Sequence, residues 1–174
     1  TCRYTLLAAD LVAGTVHNTA TVTGNYGSIV ASSSASADKT LAKPLLDLTK
    51  TAGTLTVAAD HDTVTYTVTV SNSGGAVGYY GPITDTPAFD PSLTPTTARW
   101  SGPNGSTPTG NTTLSATVTS FLIGSVTPIA AGATHTYQVS IDFTAGTVAA
   151  STCAGPGTGL ANRVALPSGQ EGGP

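Results

Sequence analysis

Between Thr63 and Val70 the chain alternates without a break, with Val64, Tyr66, Val68 and Val70 on one parity and Thr63, Thr65, Thr67 and Thr69 on the other. A helix would mix these two sets. An extended strand separates them onto one buried and one wet face, so the segment predicts a half-buried strand. Upstream of a break at Asp60-His61-Asp62, the stretch Leu46-Asp47-Leu48-Thr49-Lys50-Thr51 has the same parity, with Leu46, Leu48 and Lys50 pointing one way. An amine is thereby aimed where a hydrophobe belongs.

The 174 residues suit one domain of usual size with something attached. Only 9% are charged and there is no Met, while Thr, Ser, Ala, Gly and Val dominate, a mixture that favours strands and turns over helices. Disordered chains share low charge and small residues but not sustained alternation of period two. The fold class expected is therefore all-β. A net charge of -3 offers no basic patch for nucleic acid and no polybasic anchor for anionic lipid. No apolar run approaches the roughly 20 residues that cross a bilayer, so no membrane insertion of this segment is expected. With no signal peptide and no initiating Met, the chain reads as an excerpt or processed piece of something larger. Cys2 and Cys153 are too few and too far apart for a zinc knuckle. A disulfide in an oxidising compartment is the preferred reading, and sparse charge with abundant Thr suits an exported surface protein.

In residues 1–43 the pattern predicts strands at Tyr4 to Ala8, Thr15 to Val22 and Ser28 to about Ala37, with a turn over residues 9–14 and a hairpin at Gly24-Asn25-Tyr26-Gly27. Three strands hide a face only if something lies on it, so this segment is expected not to fold alone. Lys43-Pro44 marks a hinge, and a complete second unit spans 44–174. Within it Ser71-Asn72-Ser73-Gly74-Gly75 is a turn cluster, and Ile83 and Asp85 share a face. Residues 91–112, rich in Pro, Gly, Asn and Thr, are expected to form a long surface excursion with a short strand around Trp100. Further strands are predicted at Leu114 to Ile123 and Thr134 to Phe143, with a last one whose inner face is Leu160, Asn162, Val164 and Leu166. About seven short strands between turn clusters predict an immunoglobulin-like β-sandwich.

The chain also repeats itself. Tyr4-Thr5-Leu6-Leu7 up to Ala13-Gly14-Thr15-Val16 matches Tyr137-Gln138-Val139-Ser140 up to Ala145-Gly146-Thr147-Val148, and Asn18-Thr19-Ala20 matches Asn162-Arg163-Val164. Residues 1–43 thus read as the terminal strands of a truncated or strand-exchanged repeat, ahead of one whole domain, as in a tandem array.

Leu48-Thr49-Lys50-Thr51, the run from Asp62 to Gly74, Thr84-Asp85-Thr86-Pro87, the Gly132 turn before Tyr137, and Leu160-Ala161-Asn162-Arg163-Val164 together resemble the bacterial surface-protein repeats of the DUF11 type. The opening from Cys2 to Ala20 is similar to the tail of a related repeat. The resemblance covers most of the chain outside 91–128 and implies an extracellular stalk, often near domains with intramolecular isopeptide bonds. In such repeats the cysteine ahead of the tyrosine commonly has a partner just upstream, which this chain lacks before Cys2.

Parity puts Lys50, Asp85 and Asn162 each on the apolar face of its strand. A buried ammonium without a partner loses its proton, and a neutral amine is a nucleophile. It would attack the Asn162 carboxamide while Asp85, kept protonated by the same setting, shuttles protons until ammonia leaves. The competing reading is a satisfied polar trio, with Lys50 reaching water and paired to Asp47 or Asp85 while Asn162 caps a turn. Asn18 repeats the position of Asn162, and its lysine lies either in a missing front of its own domain or in another chain, the latter implying strand exchange between identical subunits or neighbouring repeats.

Asp60-His61-Asp62 reads as a hairpin turn rather than a Ca²⁺ site, and His17, His61 and His135 have no zinc spacing and read as surface residues, so no metal and no cofactor is expected. Asn104-Gly105-Ser106 and Asn111-Thr112-Thr113 fit the glycan acceptor pattern without consequence in a bacterial product. Tyr79, Tyr80 and Trp100 are candidate binding aromatics, with core or inter-repeat packing as the alternative. No nucleophile elbow, phosphate loop or acid pair for glycoside hydrolysis occurs, so an enzyme with turnover is not expected. The expectation is an extracellular structural repeat of a bacterial surface protein or filament. The alternatives are an adhesive module for a receptor or glycan and an accessory domain of an enzyme.

Overall fold

The computed structural model describes residues 3–5, 7–145 and 159–168. Among them the regular elements are twelve antiparallel-paired strands and one short helix, an all-β, sandwich-like fold. Contacts divide the chain into Thr1–Lys43 and Pro44–Pro174, called here unit 1 and unit 2.

Unit 1 opens with α1 (Ala8–Ala13), which occupies the turn expected over residues 9–14, and the described residues of the strand expected from Tyr4 to Ala8 are not in a strand. The reason is Asp10, whose Oδ2 accepts from the Leu7 backbone N–H and the Tyr4 hydroxyl, both at 2.8 Å, and so satisfies groups at the start of the turn. Gly14, at φ 73°, closes the helix in the left-handed region that a glycine enters without penalty. The chain then forms one long hairpin, β1 (Thr15–Tyr26) against β2 (Ile29–Thr40), turning at Gly27-Ser28, later than the Gly24–Gly27 expectation. Apart from half-buried Val16 both strands are exposed throughout.

Unit 2 holds the core. Strand β3 (Leu46–Thr56) is the edge of a five-stranded sheet and pairs with β4 (Asp62–Asn72). Beyond β4 lie β11 (Thr134–Ala145), β7 (Leu93–Ser101) and β8 (Pro108–Thr113), giving the order β3-β4-β11-β7-β8. A three-stranded sheet runs β12 (Asn162–Ala165), β6 (Ile83–Pro87), β9 (Phe121–Ile123), and a small ribbon pairs β10 (Thr127–Ile129) with β5 (Gly78–Tyr80).

The alternation in β4 does what its period requires: Val64, Tyr66, Val68 and Val70 are buried and the threonines half-buried. Tyr137, Val139, Ile141 and Phe143 of β11 join them with Ile83, Phe121 and Ile123 from the smaller sheet. Buried aliphatic and aromatic side chains of this kind each contribute about 1.5–3 kcal/mol, which is why the two inner faces stay together. Asn72 is buried among them at 1% exposure, but its side chain accepts from Leu45 N–H at 3.0 Å and donates to the Ala76 and Ile129 carbonyls at 2.8 and 3.2 Å. A buried amide so supplied ties the end of β4 to β10 and to the turn before β5 at little cost.

Residues 91–112 are not a surface excursion. They form most of a β7–β8 hairpin inside the main sheet, where Trp100 lies opposite Gly110. A Cβ on Gly110 would run into the indole, so the glycine makes the slot in which the ring stacks on Phe121. The expected strand from Leu114 to Ile123 shrinks to β9.

Candidate functional site: a buried lysine, acid and amide

The site joins the two sheets of unit 2. Lys50 stands on β3 across from Val68, on the inward parity that it shares with Leu48 and Leu46. Its Nζ reaches Asp85 Oδ2 at 2.6 Å on β6, with 7% of the lysine side chain and none of the aspartate exposed. Burial lowers the Lys50 pKa to about 8, against the pull of the adjacent carboxylate, and raises that of Asp85 against the pull of Lys50. Each shift moves its group toward the neutral form. Burial thus disfavours the ammonium–carboxylate arrangement of the shared proton relative to amine–carboxylic acid.

Asn162 enters from β12. Val164 lies opposite Asp85 and Asn162 opposite Pro87, so the amide projects on the face of Asp85, diagonal to it. It stands close enough to act weakly on the Asp85 carboxyl. Yet neither its Nδ2 nor its Oδ1, nor Asp85 Oδ1, makes a hydrogen bond of standard geometry, and all three atoms are buried. An unsatisfied buried polar group costs about 1–3 kcal/mol. The contrast with Asn72 is direct, because the same side chain, buried in the same unit, is there fully engaged.

One member of the constellation escaped the sequence reading. The Lys50 Nζ lies 4.5 Å from the centre of the Tyr66 ring, and the Tyr66 hydroxyl donates to the Leu160 carbonyl at 2.6 Å. Tyr66 thus lines the amine and holds the chain two residues before Asn162. Its signal in the sequence was its size, as the one aromatic among the valines on the buried parity of β4.

Chemically, the arrangement offers a nucleophile, an acid–base and an electrophile in one dry place. With the proton on Asp85, the Lys50 nitrogen has a free lone pair to attack Cγ of Asn162. Asp85 would donate to the carbonyl oxygen, accept the proton released from Nζ, pass a proton to Nδ2, and take back the hydroxyl proton as the carbonyl re-forms. The C–Nδ2 bond would then break and ammonia leave, giving a C–Nζ amide with Asp85 regenerated.

The other expectations divide. Tyr80 is fully buried, its hydroxyl 2.9 Å from that of Tyr137 and 2.7 Å from His135 Nδ1, so burial pushes its pKa far up and it takes no part in a surface. Trp100 is half-buried on Phe121, leaving Tyr79, at 62% exposure, as the one member of the proposed binding trio turned to solvent. Adjacent strand residues face opposite ways, and β5 separates Tyr79 from Tyr80 for that reason. His135 is correspondingly half-buried rather than a plain surface residue, while His17 and His61 are exposed. Asp62 accepts from Ala58 N–H at 3.3 Å, and no cluster of His, Cys, Asp or Glu suited to a metal ion occurs among the described residues. Asn104 is taken up by backbone contacts with Thr136. Cys2 and Cys153 lie outside the described residues. Among the described residues no helix is long and apolar enough to cross a membrane.

No family model matches the chain, and neither the curated proteins nor the solved structures contain a significant match to it.

Proposed function

We propose that the chain is an extracellular structural repeat of a bacterial surface protein or filament, of the DUF11 type. In this reading unit 2 is an immunoglobulin-like sandwich whose first and last strands are stapled by an amide bond between Lys50 and Asn162, with Asp85 as the assisting acid. The observation that carries it is the buried Asn162 amide, with no hydrogen bond of standard geometry, beside a buried lysine–aspartate pair. A merely structural trio would be expected to satisfy its amide, as Asn72 does. Reaction makes that amide part of a covalent bond and removes the charge of Lys50 from the interior.

The reaction happens once per molecule and its product stays in the fold, so this is self-modification and not turnover. A repeat of this kind supplies length, cohesion and resistance to proteases. Its low charge and exposed threonines suit a surface that meets water rather than lipid or nucleic acid.

Intact mass under denaturing conditions tests the reading. The purified chain is expected to be lighter than its calculated mass by one ammonia, and Lys50→Ala to have its full calculated mass. Full mass in the unmodified sequence would overturn the proposal.

A further inference from the structure

The strand that closes unit 2 has a counterpart in unit 1. Around β12, Leu160, Asn162, Val164 and Leu166 face inward, with Leu160 and Leu166 buried, while Arg163 and Ala165 are exposed. In β1, Val16, Asn18, Ala20 and Val22 reproduce this order at the same two-residue spacing, one amide in the second slot of an otherwise apolar row.

The hairpin register extends that row into a face. Opposite Asn18, Ala20 and Val22 stand Ala37, Ala35 and Ser33, and farther along lie Tyr26 and Ile29. The reverse face is polar over the same length: His17, Thr19, Thr21 and Thr23 oppose Asp38, Ser36, Ser34 and Ser32. Such two-faced ribbons form when one side is to be covered. Here Val22 is 69%, Tyr26 85% and Ile29 66% exposed. Moreover, among the described residues β1 pairs with β2 alone, and in unit 2 it is β6 that β12 pairs with.

We infer that β1 is a closing strand for unit 2 of a second copy of this chain. It lies along β6 in the place of β12, brings Asn18 to the Lys50–Asp85 pair, and is joined to that lysine by the same exchange. This rests on the reading of the site given above. The atoms balance as before: Nζ of one copy's Lys50 bonds to Cγ of the other copy's Asn18, the C–Nδ2 bond breaks, and ammonia carries away the nitrogen. Repetition from copy to copy gives an open, head-to-tail chain, because the donating and accepting surfaces differ. Within one molecule β12 competes at the high effective concentration of a tethered strand, so the intermolecular bond forms where Asn162 has not reacted.

The test uses the full chain with Asn162→Ala, incubated at high concentration, then denatured and resolved by size, with peptide mapping of any linked species. A ladder of covalent dimers and larger species is expected, one ammonia lost per link and Lys50 joined to Asn18. It should vanish in Asn162→Ala/Asn18→Ala and in Asn162→Ala/Lys50→Ala. Asn162→Leu, which fills the volume of the lost amide, repeats the test if the alanine chain fails to fold. If the original sequence shows its ammonia deficit while both variants remain monomeric after denaturation, the hairpin assignment is overturned and the site reading stands. If the original sequence has full mass, the site reading falls and the intermolecular bond falls with it.

Discussion

Strands β1 and β12 carry the same alternating row, yet one is exposed along nearly its whole length and the other lies against a core. The difference is not in their sequences. Strand β12 has β6 beside it and β3 across from it, with Tyr66 of β4 bonded to Leu160 just ahead of it, whereas among the described residues β1 pairs with β2 alone. Alternation decides which side chains share a face; burial depends on whether a second layer is available to that face.

The comparison breaks most visibly at Asp85. Asp85→Ala removes the proton shuttle and leaves a buried amine without a partner. The loss is about 3–5 kcal/mol for the unpaired charge and, with the proposed tie absent across a loop of this length, about 5 kcal/mol more. Unit 2 should melt at a much lower temperature, read from the fluorescence of Trp100, the only tryptophan, and the chain should have its full mass. Hydrogen exchange in β1 and β2 should not change. An unaltered melting temperature would refute the role given to this carboxylate.

Two isoleucines sharpen the contrast. Ile141 is fully buried in β11 and Ile29 is 66% exposed in β2. Ile141→Ala should cost about 2–5 kcal/mol, and Ile29→Ala about 0.5 kcal/mol or less, both measured by urea unfolding. A cost at Ile29 matching that at Ile141 would mean that the hairpin is covered in solution.

The smallest effect depends on pH. In Asn162→Ala/Asn18→Ala the lysine has no amide to join and stays titratable, with a folded pKa of about 8 against 10.5 in the unfolded chain. Between those values the unfolded state holds more protons, so the lysine makes unit 2 more stable as pH rises through the window. Asp85, raised in the folded state, acts in the opposite sense on the acid side, where stability is lost as pH rises from its unfolded value through its folded one. Urea midpoints across the alkaline window should therefore climb in Asn162→Ala/Asn18→Ala and lack this climb in the original sequence, where the proposed bond would hold the Lys50 nitrogen as an amide.

Much of the site could be read from parity alone. Lys50, Asp85 and Asn162 each sit among apolar neighbours two residues away, and a period of two holds over short strands without knowledge of their partners. Tyr66 was missed because a buried aromatic on a strand announces packing, whereas its link to Leu160 depends on a strand far off in sequence. The β7–β8 hairpin was hidden for a different reason. Its Pro, Gly and Thr content suggests a loop, and the register shift between Asp142 and Phe143 where β11 meets β7 breaks the alternation that would have revealed it. The helix at Ala8–Ala13 turned on one carboxylate, Asp10, capturing nearby donors, which no periodicity signals.

The position of the site at opposite ends of unit 2 has a further consequence. Lys50 lies on its first strand and Asn162 on its last, so with the proposed amide in place a pull on both ends of the unit runs through one bond between two side chains. Residues 51–161 then carry no load. Stretching could draw out only the short leads outside the bond, and such a molecule would behave as a nearly inextensible link.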